Sequence, residues 1–420
     1  MEYLQIRGRR PLTGTCAVGG AKNAALPLMA AALMIPGETV LRNVPDLSDV
    51  EVMASLLRSF GVSVKRQGDA VVIDASAPSG GEVPSSLAGM LRASTLLLAP
   101  ALDRFGEVAL APAGGCRIGE RPVDLHLRGM SALGASFDEG GGVIRGKRER
   151  RRAAAICLDY PSVGATENIV MAAVRARGRT VLKNAAAEPE IDDLCRFLNG
   201  RGAKIAREGN TVVIDGVTSL FGGEYTVLPD RVVGGTALLA AAAVGGDVTV
   251  TNVGTDQLAA VASKLAETGA EVTAAEHSLR VRRSGALRGA DLRTMPYPGF
   301  PTDLQPPFTA AMTVAEGTSV IREEVFENRL GFCDELVKFG AGIRRGGGPA
   351  VVRGVESLRG ADVRAEDLRG GAALTVAALA AEGVSRVFGL RYIDRGYEAI
   401  ETMFAALGGD IVRRSTEEGA

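Results

Sequence analysis

The run "LLRSFGVSV", Leu56 to Val64, closes an amphipathic helical pattern on Gly61 and passes at once into apolar/polar alternation. Apolar spacing of period 3.6 giving way to period 2 across one glycine marks a helix followed by a strand. The phrase returns as "MSALGASF", "FLNGRGAKI", "KLAETGAEV", "LVKFGAGI" and "FAALGGDI", with its glycine at Gly134, Gly202, Gly269, Gly340 and Gly408. Successive glycines stand 67 to 73 residues apart, too far for a solenoid repeat and far enough for a small α/β unit. Beyond each glycine the chain alternates, as in "VSVKRQGDAVVIDA" from Val62, which suits a strand, a turn and a second strand. Six repeated α/β units are expected.

A second phrase keeps step with the first. "GAKNAALPLMAAALM", "LRASTLLLAPAL", "VGATENIVMAAVRA", "VGGTALLAAAAV", "PTDLQPPFTAAMTVA" and "LRGGAALTVAALAA" each have a polar or glycine-containing start and an Ala/Leu-rich continuation. Helices apolar all round are buried ones, so each domain is expected to enclose helices within strands. A buried helix offers only its ends, and its N-terminus attracts anions through free N–H groups and the macrodipole. Lys22 and Asn23, Arg92, Ser162 to Gly164, Arg231, Asp303 and Arg369 stand at those starts. Any one alone reads as a helix cap. Together, and mostly cationic, they point to a shared site for a strongly anionic ligand.

The chain has 420 residues and 46% hydrophobic composition, which predicts two or three globular domains. Lys plus Arg number 48 against 49 Asp plus Glu, so no global field draws in nucleic acid or an anionic membrane. With 4% aromatics and no Trp, base-stacking platforms are disfavoured. The five cysteines, Cys16, Cys116, Cys157, Cys195 and Cys333, form no C-x-x-C pair, against a disulfide framework or zinc site and in keeping with a reducing cytoplasm. The charged start "MEYLQIRGRRPLTG" lacks an apolar signal core, and no apolar run approaches the ~20 residues of a membrane span, so neither export nor membrane insertion is expected. The basic run "RGKRERRR", Arg145 to Arg152, reads as a solvated loop between strands. "GGAKN" is no phosphate-binding P-loop, because no Gly-Lys-Ser/Thr follows.

One thiol stands apart. "AGGCRIGERPVDLH", Ala113 to His126, sets Cys116 between glycines with Arg117 and Arg121 close behind. Exposure on a flexible, cation-rich loop is the setting of a reactive cysteine. Cys157, Cys195 and Cys333 lie in apolar or helical contexts and are read as packing. His126 reads equally as a nucleotide contact or as scaffolding.

"GGAKNAALPL", "MLRAS", "GGCRIGERPVDLH", "PSVGATEN", "AEPEIDDL", "LPDR", "FPTDLQPPF", "VFENR", "DLRGGAAL" and "YIDRGYE" occur in that order from one end of the chain to about residue 411. In them the chain resembles the enolpyruvyl transferase family, in the branch that opens peptidoglycan synthesis. The resemblance implies a two-domain inside-out α/β barrel with three units per domain and the active site between them. It places residues 22–228 in one domain, and 1–21 with 229–420 in the other. It implies transfer of the enolpyruvyl group of phosphoenolpyruvate to the 3'-hydroxyl of UDP-N-acetylglucosamine. Phosphate leaves by addition then elimination through a tetrahedral intermediate. No cofactor, metal, nucleic acid or membrane is implied, and a cytoplasmic monomer is expected.

By the same resemblance Cys116 is the proton-donating, fosfomycin-sensitive thiol. Lys22, Arg121 and Arg395 hold the phosphate. Arg329 and Arg369 surround the enolpyruvyl carboxylate, where a planar fork suits the geometry. Asp303 is the base for the sugar hydroxyl. Asn23, Arg92, Arg121, Pro122, Val123, Asp124, Leu125, Ser162, Val163, Gly164, Asp303 and Val325 contact the nucleotide sugar, Asn23 also the phosphoenolpyruvate. Glu188, Asp230, Glu327 and Asp367, with Arg231, support these groups by orienting arginines. Tyr160, Ala187, Leu330 and Gly331 depart from the family pattern. The competing readings are an enolpyruvyl transferase for another acceptor, of the shikimate-pathway type, and a non-catalytic nucleotide-sugar binding paralogue.

Overall fold

The structure, a computed structural model, describes residues 1–80, 83, 85–111, 114, 119 and 122–415. Contacts divide the chain into two compact units: Met1–Gly19 with Pro229–Ala420 and Gly119, and otherwise the residues from Gly20 to Leu228. Strand pairing accounts for this division. The strand Glu2–Arg7 lies between Val384–Phe388 and Asp410–Ser415, antiparallel to both, and Leu12–Ala17 runs parallel to Gly246–Thr251. The backbone groups at the start of the chain thus find their partners in its second half. In the other unit, Gly223–Thr226 returns to lie parallel to Glu38–Arg42.

Among the described residues there are six sheets, five of four strands and one of three. The sheet that begins at Leu292 shows the plan common to the four-stranded ones. Leu292–Arg293 runs parallel to Thr318–Arg322, which is antiparallel to Ala350–Arg353, itself antiparallel to Gly342–Arg344. A parallel pair needs a crossover, and the helix Gln305–Met312 supplies it.

The crossover helices form the interior. Arg231–Val244, Gln305–Met312 and Leu368–Ala380 pack on one another, and every residue of the last is buried. In the other unit, Lys22–Ala32 and Val163–Ala173 both pack on the turn Arg92–Leu97. Alanine loses no rotamer freedom and lets helices approach, while each fully buried leucine contributes about 1.5–3 kcal/mol relative to exposure. The outer helices end on the repeat glycines, whose φ values are 73°, 102°, 99°, 89°, 86° and 90° from Gly61 to Gly408. A left-handed cap there favours glycine, which explains why the phrase recurs. Among the described residues no helix is long and apolar enough to cross a membrane.

Two expectations are corrected. The basic run is a solvated loop only in its second half: Ile144–Arg148 is a strand, residues 149–152 follow it outside any element with Glu149, Arg150 and Arg152 exposed, and Arg148 and Arg151 turn inward, each donating to the Asp103 carbonyl, at 2.5 and 3.1 Å. Alternation in the strand sends Arg148 to the side opposite Lys147, which is exposed. Cys157 is exposed rather than packed, because in Ala155–Cys157 only the middle residue, Ile156, faces the core. Cys195 and Cys333 are buried as expected, and burial pushes both thiols up to about 12.

A further register went unread in the sequence. Asn43, Asn184 and Asn252 each follow the strand after a crossover helix, at φ 57°, 53° and 60°. Their amides donate to the carbonyls of Val227, Leu158 and Val18 at 2.9, 2.8 and 2.8 Å, just beyond the parallel neighbour. Asparagine tolerates the left-handed region and reaches the next backbone.

Candidate active site

The C-terminal unit gathers Asp303, Arg329 and Arg369. Asp303 lies in the turn Thr302–Leu304 before a crossover helix, and Arg369 in the first turn of Leu368–Ala380. Arg329 opens the turn Arg329–Phe332. One carboxylate oxygen of Asp303 accepts from Arg329 at 2.7 Å and the other from Arg369 at 2.9 Å. Both arginines are 3% exposed. Arg329 stacks over Phe326 and Arg369 over Tyr397, at 5.3 and 5.4 Å from the ring centroids. Burial works against the charge on Arg369, but Asp303, Tyr397 and Asp230 outweigh it and raise its pKa. Among the described residues, Arg329 Nε and Arg369 Nη1 have no hydrogen-bond partner, so the pair retains donors for a second anion.

The acidic residues expected to orient arginines do so differently. Asp367 caps its helix, Oδ1 accepting from the backbone N–H of Arg369 at 3.0 Å and of Gly370 at 2.9 Å. Asp230 caps Arg231–Val244 in the same way through Val232 and Val233 at 2.8 and 3.1 Å. These carboxylates fix the helix starts that carry Arg369 and Arg231. Arg231 itself is buried over the Tyr297 ring at 5.5 Å. Glu327 is exposed and close to Gly119, where a Cβ would collide with its carboxylate. Arg395 is half-buried beyond the short helix Leu390–Ile393, and its neighbour Asp394 is gripped by Arg413 at 3.0 and 2.6 Å.

Val325 is half-buried and held by a residue that went unnoticed, Glu323. One Glu323 oxygen accepts from Thr294 and Thr302 hydroxyls and the Val325 N–H, each at 2.9 Å, and from the Phe326 N–H at 3.2 Å. It ties the turn bearing Asp303 to the segment leading to Arg329. Leu330 is buried, with its carbonyl taken by Arg345 at 2.8 Å.

In the other unit Lys22 begins the helix Lys22–Ala32, and its ammonium meets Asp49 at 3.0 Å, both buried. Asp49 was not anticipated. Asn23 is exposed and Arg92 half-buried at the head of its turn. Pro122 and Asp124 are exposed, Val123 and Leu125 half-buried, and Asp124 opens the helix Asp124–Ala132. Ser162 caps Val163–Ala173, accepting from Ala165 at 3.3 Å, with Val163 and Gly164 half-buried in its first turn. A Cβ on Gly164 would come within 2.8 Å of His126 Nε2, so imidazole and helix start are in close contact. Glu188 lies near Glu167, and burial, with the Glu190 and Glu188 carboxylates, holds Glu167 well above the usual range. Ala187 is half-buried and Tyr160 exposed. Cys116, Arg117 and Arg121 lie outside the described residues.

His126 carries a pH prediction. Burial, then the Arg92 charge, lowers its pKa from 6.5 to about 4. The folded value lies below the unfolded one, so its contribution is intact above about pH 6.5 and lost as the pH falls towards about 4. Denaturant unfolding at pH 5 and pH 7 is expected to show a smaller difference in His126→Gln than in the parent. An unchanged difference excludes His126 as the source.

Comparison with known proteins follows this geometry. Residues 6–404 match the model of the EPSP synthase (3-phosphoshikimate 1-carboxyvinyltransferase) family. The chain is 47% identical over 418 residues to UDP-N-acetylglucosamine 1-carboxyvinyltransferase 2 of Carboxydothermus hydrogenoformans, covering 99% of this chain and 100% of that one. It is 44% identical over 414 residues to UDP-N-acetylglucosamine 1-carboxyvinyltransferase 3 of Caldanaerobacter subterraneus, covering 98% and 99%. Among solved structures, the enolpyruvyl transferase NikO from Streptomyces tendae superposes with a TM-score of 0.87 at 25% identity, covering 98% of each chain. The chain belongs to the enolpyruvyl transferases and, within them, to the UDP-N-acetylglucosamine 1-carboxyvinyltransferase family.

Proposed function

We propose that this chain transfers the enolpyruvyl group of phosphoenolpyruvate to the 3'-hydroxyl of UDP-N-acetylglucosamine and releases phosphate, the step that commits the nucleotide sugar to peptidoglycan. The observation that carries the reading is the Asp303 carboxylate between two buried arginines, at 2.7 and 2.9 Å. A carboxylate so held is a poor base, because both its oxygens are already charge-balanced. The incoming enolpyruvyl carboxylate offers the arginines a second anion. Asp303 is then released to take the proton of the sugar hydroxyl as the C–O bond forms.

Lys22 and Arg395, with Arg121, are the cations for the phosphate, which carries charge throughout addition and elimination. Cys116 delivers the proton to the methylene carbon. The start of Val163–Ala173, with Ser162 and Gly164, suits the diphosphate of the nucleotide sugar through its open N–H groups. The scattered cysteines fit a cytoplasmic enzyme.

Phosphate release from phosphoenolpyruvate by the purified protein tests the reading. Release is expected to require UDP-N-acetylglucosamine and to cease after fosfomycin treatment, with Cys116 as the alkylated residue. Release with shikimate 3-phosphate instead would reassign the acceptor. A folded protein that binds the nucleotide sugar but releases nothing would be a binding paralogue.

A further inference from the structure

Tyr397 is 1% exposed, larger than most residues of this core, and plays no part in the chemistry above. Its ring lies under the Arg369 guanidinium, 5.4 Å from centroid to Cζ, and its hydroxyl is 2.9 Å from Thr236 Oγ1. A count of protons fixes the direction of that hydrogen bond. The single hydroxyl proton of Thr236 is donated to the Val232 carbonyl at 2.8 Å, so Thr236 has only lone pairs for Tyr397. Tyr397 is therefore the donor, and its oxygen lone pairs are turned away from Thr236. A neutral phenol in this orientation presents negative partial charge from its oxygen and its ring face to a cation above it. Burial raises the Tyr397 pKa, so it remains a phenol.

We propose that Tyr397 is a positioning residue, oriented by Thr236, that sets the Arg369 guanidinium for the carboxylate of the three-carbon substrate. This rests on the functional reading above. The chain of contacts runs from the Val232 carbonyl through Thr236 and Tyr397 to Arg369, and so couples the helices Arg231–Val244 and Leu368–Ala380. Tyr397 also stands two residues beyond Arg395 in the chain.

Steady-state kinetics of Tyr397→Phe, Thr236→Val, their combination and Thr236→Ser test this. Tyr397→Phe keeps the ring and loses the hydroxyl; Thr236→Val keeps the shape and loses the acceptor. Each is expected to raise KM for phosphoenolpyruvate about tenfold, the scale of a lost polar contact to a charged group. KM for UDP-N-acetylglucosamine should stay at the parental value. Because the residues act in series, the double variant should be no worse than the more affected single one, and Thr236→Ser should restore the parental KM. Equal rises for both substrates, additive effects, or an unchanged KM for phosphoenolpyruvate would overturn the proposal. Equilibrium dialysis of phosphoenolpyruvate gives the same comparison without turnover. A parent that binds phosphoenolpyruvate but does not turn over would sink the proposed acceptor and leave the affinity comparison decisive for Tyr397.

Discussion

Asp303→Asn is expected to lower turnover about 10²- to 10⁴-fold, the range contributed by a positioned general base. The substitution keeps the shape of the side chain and removes two things at once. It removes the site that takes the hydroxyl proton. It also removes the charge facing Arg329 and Arg369, both 3% exposed and both bonded to this carboxylate. Buried guanidiniums that lose their counter-ion remain charged, so the unliganded variant should melt at a lower temperature than the parent. Phosphoenolpyruvate brings a carboxylate of its own and should recover part of that loss. Phosphate release, nucleotide-sugar calorimetry and thermal midpoints with and without phosphoenolpyruvate separate these effects. Turnover near the parental rate would remove Asp303 as the base. A midpoint unmoved by the substitution would mean that the arginines are balanced by other groups.

The order of elements could be read from the chain because it is written in local periods. Each repeat glycine ends a helix in a left-handed conformation, and the Ala/Leu-rich runs are largely buried helices, so both leave their mark within about fifteen residues. The exchange of edge strands left no such mark. Nothing in "LTGTCA" says that Leu12–Ala17 pairs with a strand beginning at Gly246, since pairing joins residues remote in sequence.

The site divides along the same line. Asp303 and Arg369 stand at the starts of buried helices and could be named from the pattern, Arg329 only from the resemblance; the mutual contact of their side chains could not. Asp49 and Tyr397 make contacts across elements, which neither the residues around Asp49 nor the "YIDRGYE" motif that holds Tyr397 announces. Glu323 is different, because the sequence did hold its signal. Asn43, Asn184 and Asn252 recur directly after the strand that follows a crossover helix, and Glu323 occupies that place after Thr318–Arg322. The repeat breaks with a carboxylate in the unit that carries Asp303. There it gathers four donors instead of reaching for a neighbouring carbonyl.

The largest stability effect is expected at Asp49. Its carboxylate meets the Lys22 ammonium at 3.0 Å with both residues nearly closed to solvent, at 4% and 9% exposure. Asp49→Ala leaves a buried charge without its partner and should cost about 3–5 kcal/mol in denaturant unfolding. A buried pair replaced as a whole by apolar residues of similar volume is often neutral for stability, so Lys22→Met with Asp49→Leu should fold about as stably as the parent. The double variant isolates function from folding. If Lys22 serves only to balance Asp49, the stable double variant will turn over normally. If Lys22 holds the phosphate of the substrate, turnover will fall about 10²- to 10³-fold in a protein that has lost no stability, the scale expected for one missing group that stabilises developing charge. The second outcome is the expected one, because Lys22 opens a crossover helix whose free N–H groups favour an anion, and a structural pair has no need of that position.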